Sequence, residues 1–204
     1  MRPGITVVIP TFPSRYNELG RAVASATNQT LPPEQVIVVV DNGHEGAAAT
    51  RTRGLMQVET EWTAFLDDDD YFLPEHLEKL AELATSAKAD LVFPWFTVIG
   101  SGGDPFPMNE HREWERADPH QTTITFLVRT EAAQRVGGFI EQDGDTDPAG
   151  EDVGTDSQGH RAGEDFRFVL RLHDAGYKIE KLYERTWVWV HHQTNSMGMP
   201  SRRG

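Results

Sequence analysis

Ten β-branched residues in two continuous blocks, Ile5 to Ile9 and Val36 to Val40, constrain this chain more than any other feature. An unbroken apolar run of this length fits a strand covered on both faces, as in a mainly parallel sheet, and not a strand with one wet face. Between the blocks Leu19, Ala22, Val23 and Ala26 recur at helical spacing, so the segment predicts a βαβ unit. Trp62 to Leu66 predicts a third strand. A helix is expected from Pro74, where the missing N–H carries no penalty, burying Leu77, Leu80, Ala81 and Ala84. Leu91 to Phe93 returns to the sheet. Thr123 to Val128 reads as a strand, and Glu131 to Val136 as a short helix closed by Gly137 and Gly138. Phe166 to Ala175 reads as a helix stopped by Gly176, and Trp187 to Val190 as a last strand. Gly100 to Pro119 and Gln142 to Gly163 carry no such pattern and are expected to be long loops.

At 204 residues with 38% hydrophobic content the chain supports one full core, and a single α/β domain is expected. The absence of cysteine excludes disulfides and thiolate metal sites, leaving oxygen and imidazole donors and favouring a hard cation. No run reaches the roughly 18 apolar residues that cross a bilayer, and the first residues lack a signal-peptide pattern, so a soluble cytoplasmic protein is expected. The formal net charge of −13 is unevenly spread. Glu141 to Asp165 holds nine acids against Arg161 alone, whereas Phe166 to Gly204 holds seven Arg or Lys against three acids. This balance argues against a duplex-binding face, except in the last stretch.

Chemistry is concentrated in Phe65-Leu66-Asp67-Asp68-Asp69-Asp70. Four successive carboxylates after a buried strand repel one another unless a cation or hydrogen-bond donors offset them. Their position matches the carboxyl end of a strand, where open α/β sheets bind ligands. Extended alternation predicts Asp67 and Asp69 on one side and Asp68 and Asp70 on the other, one pair facing a metal and the other capping the Pro74 helix. The bland alternative is a solvated acidic turn.

From Thr6 to Leu77 the chain resembles the donor half of a family 2 glycosyltransferase with the GT-A fold. The resemblance rests on Val8-Ile9-Pro10-Thr11, Asn28-Gln29-Thr30 before Pro32-Pro33, Val38 to Gly43, Arg51 with Gly54, and Phe65 to Asp70. It continues through Thr125 to Arg129, Val136-Gly137-Gly138-Phe139, and Gly163-Glu164-Asp165 with Leu170-Arg171-Leu172. It implies a Rossmann-like, mostly parallel central sheet flanked by helices, with a donor half over 1–99 and an acceptor half over 100–204. It also implies a donor pocket at Pro10, Thr11, Asp41, Asn42, Arg51, Asp67 and Asp68, with Asp41 accepting a hydrogen bond from the base. Asp69 is the implied ligand of Mn²⁺ or Mg²⁺, which would neutralise charge on a leaving diphosphate. Thr52 stands where the family pattern has Asn.

The implied reaction is inverting transfer of a sugar from a nucleotide diphosphate donor, UDP first among them, to an acceptor hydroxyl. Asp165 is the implied general base, at a helix start whose dipole favours its ionised form, with Glu164 as an orienting neighbour. Glu151-Asp152 is a rival pair without a following helix pattern. His191 and His192 follow the last strand; by the resemblance one of them completes the metal site, and the spacing His192-x-x-Asn195 favours His192. Ser196 to Pro200 reads as a lid. Asp143-x-Asp145-x-Asp147 opens like a calcium loop, but Pro148 and Gly154 stand where that loop needs Gly and Glu. Two other functions share the architecture: a nucleotidyltransferase, disfavoured by Pro10-Thr11-Phe12-Pro13 in place of a Gly-rich basic loop, and a catalytically silent nucleotide-sugar binding module. The acceptor stays open among a glycan, lipid carrier, protein, small molecule and, against the charge balance, a modified nucleic acid.

Overall fold

The β-branched blocks do form neighbouring strands, but only the first is covered on both faces; the second lies at the sheet edge, where Ile37 and Val39 are buried and Val38 is exposed. The structure is a computed structural model describing residues 3–100, 114, 123–140 and 163–192. Strand β1 (Ile5–Thr11) leads through a short 3-10 turn (Pro13–Arg15) into helix α1 (Tyr16–Thr27) and then β2 (Gln35–Val40). After them come α2 (Ala47–Leu55), β3 (Trp62–Phe65), β4 (Tyr71–Phe72), α3 (His76–Ala87) and β5 (Leu91–Gly100). The remaining described elements are β6 (Leu127–Arg129), α4 (Thr130–Arg135), α5 (Glu164–Asp174) and β7 (Ile179–His191).

The seven strands make one sheet in the order β2-β1-β3-β6-β5-β7-β4. β1 runs parallel to both β2 and β3, and β5 parallel to β7, whereas β6 and β4 run against their neighbours. Five of the seven strands thus share one direction, the mostly parallel α/β sheet expected. Along β1 the alternation of side chains sends Ile5, Val7 and Ile9 to a core with Ala22 and Ala26 of α1 and Leu77, Leu80, Ala81 and Ala84 of α3. Val8 points the other way, into a core shared with Ala48 and Leu55 of α2, Ala132 and Ala133 of α4, and Phe168, Val169 and Leu172 of α5. Each fully buried Leu or Phe contributes about 1.5–3 kcal/mol relative to exposure, so the two cores hold the sheet from both faces.

Several elements differ from expectation for local reasons. β6 is only three residues long, since it is bounded by its pairing with β3 and β5; Thr123 to Phe126 precede it without joining a strand. Helix α3 begins at His76, after Pro74, and its Leu77 N–H is taken by Gln29 Oε1 at 3.0 Å. β7 is 13 residues long and extends well before Trp187, its first half being mostly half-buried or exposed and lacking the apolar signature of its second half. Helix α2, absent from the periodicity reading, packs through small residues: a Cβ on Gly54 would meet Val8 and come within 2.8 Å of Val39 Cγ2. The expected loops, the calcium-like triplet, Glu151-Asp152, Asn195 and the Ser196–Pro200 lid fall outside the described residues apart from Gly100, Trp114 and Gly163.

Candidate active site

The carboxyl ends of β1, β2 and β3 lie side by side and build the site's floor. Thr11 pairs with Val40, Asp41 N–H donates to Thr11 O at 2.8 Å, and Leu66 N–H donates to Val8 O at 3.1 Å. Pro10 is buried within this edge opposite Val39, while Asn42 sits exposed just beyond it. Asp41 uses both oxygens to shape the following turn, accepting from Glu45 N–H at 2.9 Å and Gly46 N–H at 3.0 Å. These backbone donors, Glu45 foremost, hold its carboxyl below the usual range.

The four aspartates do not alternate. Asp70 N–H closes a turn onto Asp67 O at 3.2 Å, and every carboxylate finds a donor, Asp68 and Asp69 sharing Arg15. Asp67 bonds Arg51 Nη2 at 2.6 Å. Asp68 accepts from Thr11 Oγ1 at 2.6 Å and Arg15 Nη1 at 3.0 Å; Asp69 Oδ2 accepts from the same Arg15 nitrogen at 2.9 Å. Asp70 accepts from Val190 N–H at 2.9 Å, and none of the four caps α3. Asp68, Asp69 and Asp70 are only 3%, 7% and 2% exposed. Burial raises the Asp68 carboxyl despite Thr11 and Arg15, and raises Asp70 well above its ordinary range, with the charges of Asp67 and Asp69 adding to the effect. Arg15 and Arg21, which donates to Asp69 O, add compensation that the sequence reading missed. Their only prior signal was a basic residue soon after the first strand.

β7 returns beside this turn and brings its end histidines with it. His192 Nε2 lies 3.0 Å from Asp69 Oδ2. His191 is opposite Gly100, and its ring meets Trp189 edge-on at 5.7 Å. Asp69 and His192 thus converge as an oxygen and a nitrogen donor, whereas His191 belongs to the aromatic row of β7. Among the described residues no three His, Cys, Asp or Glu side chains form a complete protein-only metal cluster.

Helix α5 brings the second carboxylate pair. Glu164 Oε1 accepts from Arg51 Nη1 at 2.5 Å, so Arg51 joins the acidic turn to this helix. Asp165 Oδ1 accepts from Phe166 N–H at 2.8 Å. A Cβ on Gly163 would stand 2.6 Å from that oxygen, so a larger residue there would have to displace the Asp165 carboxylate. The helix start does favour an ionised Asp165 through the Phe166 N–H, but it is outweighed: burial first, then the charge of Glu164, push the carboxyl up to about 6 despite Arg51. Thr52, the departure from the family pattern, donates to Phe139 O at 2.7 Å and accepts from Phe139 N–H at 2.8 Å. It ties α2 to the turn after α4.

Comparison with known proteins gives one consistent family. Residues 41–140 match the model of glycosyl transferase family 2. An uncharacterized glycosyltransferase of Haemophilus influenzae is 26% identical, the match covering 53% of this chain and 47% of that protein. The succinoglycan biosynthesis protein ExoW of Rhizobium meliloti is 29% identical, covering 50% of this chain and 39% of that protein. The chain therefore spans less than half the length of these curated relatives. Among solved structures, S. aureus TarS 1-349 in complex with UDP-GlcNAc aligns with a TM-score of 0.72 at 17% identity, over 94% of this chain and 60% of that one. The same protein in complex with UDP aligns with a TM-score of 0.70 at 17% identity, over 92% and 60%. At this identity the likeness concerns the fold, which is GT-A-like. No helix among the described residues is long and apolar enough to cross a membrane. By its motifs in order, by the match over residues 41–140 and by its sheet, the chain is similar to glycosyl transferase family 2 and has a GT-A-like fold.

Proposed function

We propose that this chain transfers a sugar from a UDP-sugar to an acceptor hydroxyl with inversion, assisted by Mn²⁺ or Mg²⁺. The observation that carries the reading is the acidic turn at a strand end, joined through Arg51 to the helix start that bears Asp165. TarS, of like fold, binds UDP and UDP-GlcNAc, which supports a UDP-sugar as the first donor to try.

Asp69 and His192, an oxygen and a nitrogen donor brought within 3.0 Å, are the residues that would hold a hard or borderline cation. When bound, such a cation supplies Lewis-acid neutralisation of the departing diphosphate. Thr11, Asp41, Asn42 and Pro10 form the nucleoside edge. Asp41, its oxygens already engaged by Glu45 and Gly46, acts chiefly by shaping that edge.

Asp165 receives the acceptor hydroxyl's proton. The acceptor oxygen forms a bond to the anomeric carbon as the bond from that carbon to the diphosphate oxygen breaks on the opposite side. A carboxyl raised to about 6 is still ionised at neutral pH, yet it is a stronger base than an ordinary aspartate. The cytoplasm, with its pool of nucleotide sugars and divalent cations, is the compartment this reading requires.

The test is a thermal-shift screen of UDP, GDP and dTDP sugars with and without Mn²⁺ or Mg²⁺, followed by a transfer assay. A ligand at a hundred times its Kd stabilises the fold by about 2.7 kcal/mol, a readily measured rise in Tm. A UDP-sugar that raises Tm only with a cation is expected. Absence of a shift with every nucleotide sugar overturns the reading, whereas binding without turnover identifies a silent binding module.

A further inference from the structure

Arg51 is 6% exposed and has a carboxylate from each half of the chain within ion-pair distance. Its Nη2 lies 2.6 Å from Asp67 Oδ1, and its Nη1 lies 2.5 Å from Glu164 Oε1. Its guanidinium also sits 5.8 Å from the centre of the Phe139 ring, while the next residue, Thr52, grips both backbone groups of Phe139. A planar guanidinium in so dry a place acts as a directional fork: each nitrogen fixes where its partner oxygen stands. Breaking one arm leaves an uncompensated buried charge, so the arrangement is held firmly.

We propose that Arg51 is a positioning residue for transfer, its fork tying the α5 start that carries Asp165 to the acidic turn, so that base and donor site keep one register. The inference rests on the reading of Asp165 as the general base. The charged groups acting on Asp165 are Arg51 from α2, Asp67 from the acidic turn and Glu164 from its own helix. Arg51 favours the ionised base, and the two carboxylates oppose it. Neutralising Arg51 or Glu164 therefore displaces the acidic limb of the transfer rate in opposite directions.

The experiment is a set of pH–rate profiles on folded variants, measured beside the wild type. Arg51→Gln is expected to move the limb up by about one pH unit and Glu164→Gln to move it down, in the range a close charge produces. Arg51→Lys keeps the charge and loses the fork: its limb stays near the wild-type position while kcat falls about tenfold to a hundredfold, as small misplacements do. A wild-type kcat in Arg51→Lys, or an unmoved limb in the glutamine variants, overturns the proposal. Should Arg51→Gln fail to fold, Arg51→Lys and Glu164→Gln decide it. Wild-type transfer by Asp165→Asn sinks the reading of Asp165 itself; an inactive Asp165→Asn with unmoved Arg51 and Glu164 variants sinks only this inference.

Discussion

The acidic turn and the start of α5 both place adjacent carboxylates beside Arg51, yet they are electrostatically different. In the turn every aspartate has a donor, from Arg51, Thr11, Arg15 or the Val190 N–H, with Arg15 shared between Asp68 and Asp69. At α5, Glu164 takes the Arg51 nitrogen, and Asp165 has the Phe166 N–H and little direct cationic support. The turn is therefore a braced anionic platform, while Asp165, with fewer donors, has its carboxyl raised to about 6, which suits the proton-accepting role proposed for it. The two carboxylate groups differ less in their number of charges than in their supply of donors.

The largest expected effect breaks the α5 side of this contrast. Asp165→Asn should lower kcat by about 10²- to 10⁴-fold, the usual contribution of a general base, and keep cation-dependent donor binding by thermal shift. Since the folded carboxyl titrates near 6, above its ordinary 3.8, wild-type transfer should climb as pH rises through about 6. The stability sign is the reverse: this group's contribution is full below its ordinary value and lost as pH rises through about 6. Next, Asp69→Ala strikes the platform. It should abolish the cation-dependent rise in Tm and cut transfer by about a hundredfold or more, the loss of several kcal/mol of charge stabilisation. Persistence of the shift would move the cation elsewhere.

Two smaller effects sharpen the contrast through stability. Asp70→Ala leaves the Val190 N–H without its acceptor and should cost about 1–3 kcal/mol in urea unfolding. Asp70→Asn keeps an acceptor and removes a buried charge, so it should cost less. Because folding raises the Asp70 carboxyl, the wild type loses this group's stability as pH rises, and Asp70→Asn should flatten that decline. Thr52→Val removes both hydrogen bonds to Phe139 while touching no charge. It should destabilise by about 1 kcal/mol and leave the acidic limb where it is.

Legibility followed the physics of each region. A strand buried along its whole length announces itself, so β1 could be read directly; β2 was legible from its β-branched run even though Val38 is exposed, and α1 and α3 from their buried stripes. Helix α2 could not, because its contact with Val8 and Val39 is made by Gly54, which carries no hydrophobic signal. Nor could the early half of β7, where Tyr183 and Glu184 face outward. At the site, residue types and strand ends were readable; neighbours were not. Arg15 reaches Asp68 from 53 residues away, Arg51 reaches Glu164 across 113, and His192 reaches Asp69 across 123.

From the sequence alone came the alternation of buried strands with helices, the carboxylates after a strand and the family they resemble. All three depend on short-range spacing, which a linear chain displays. Only the tertiary structure decided that the four aspartates form a turn, that Arg51 bridges it to α5, and that Asp165 holds its proton up to about pH 6. Those outcomes depend on burial and on charges brought together from distant segments, and proton affinity is set by that surrounding rather than by residue type.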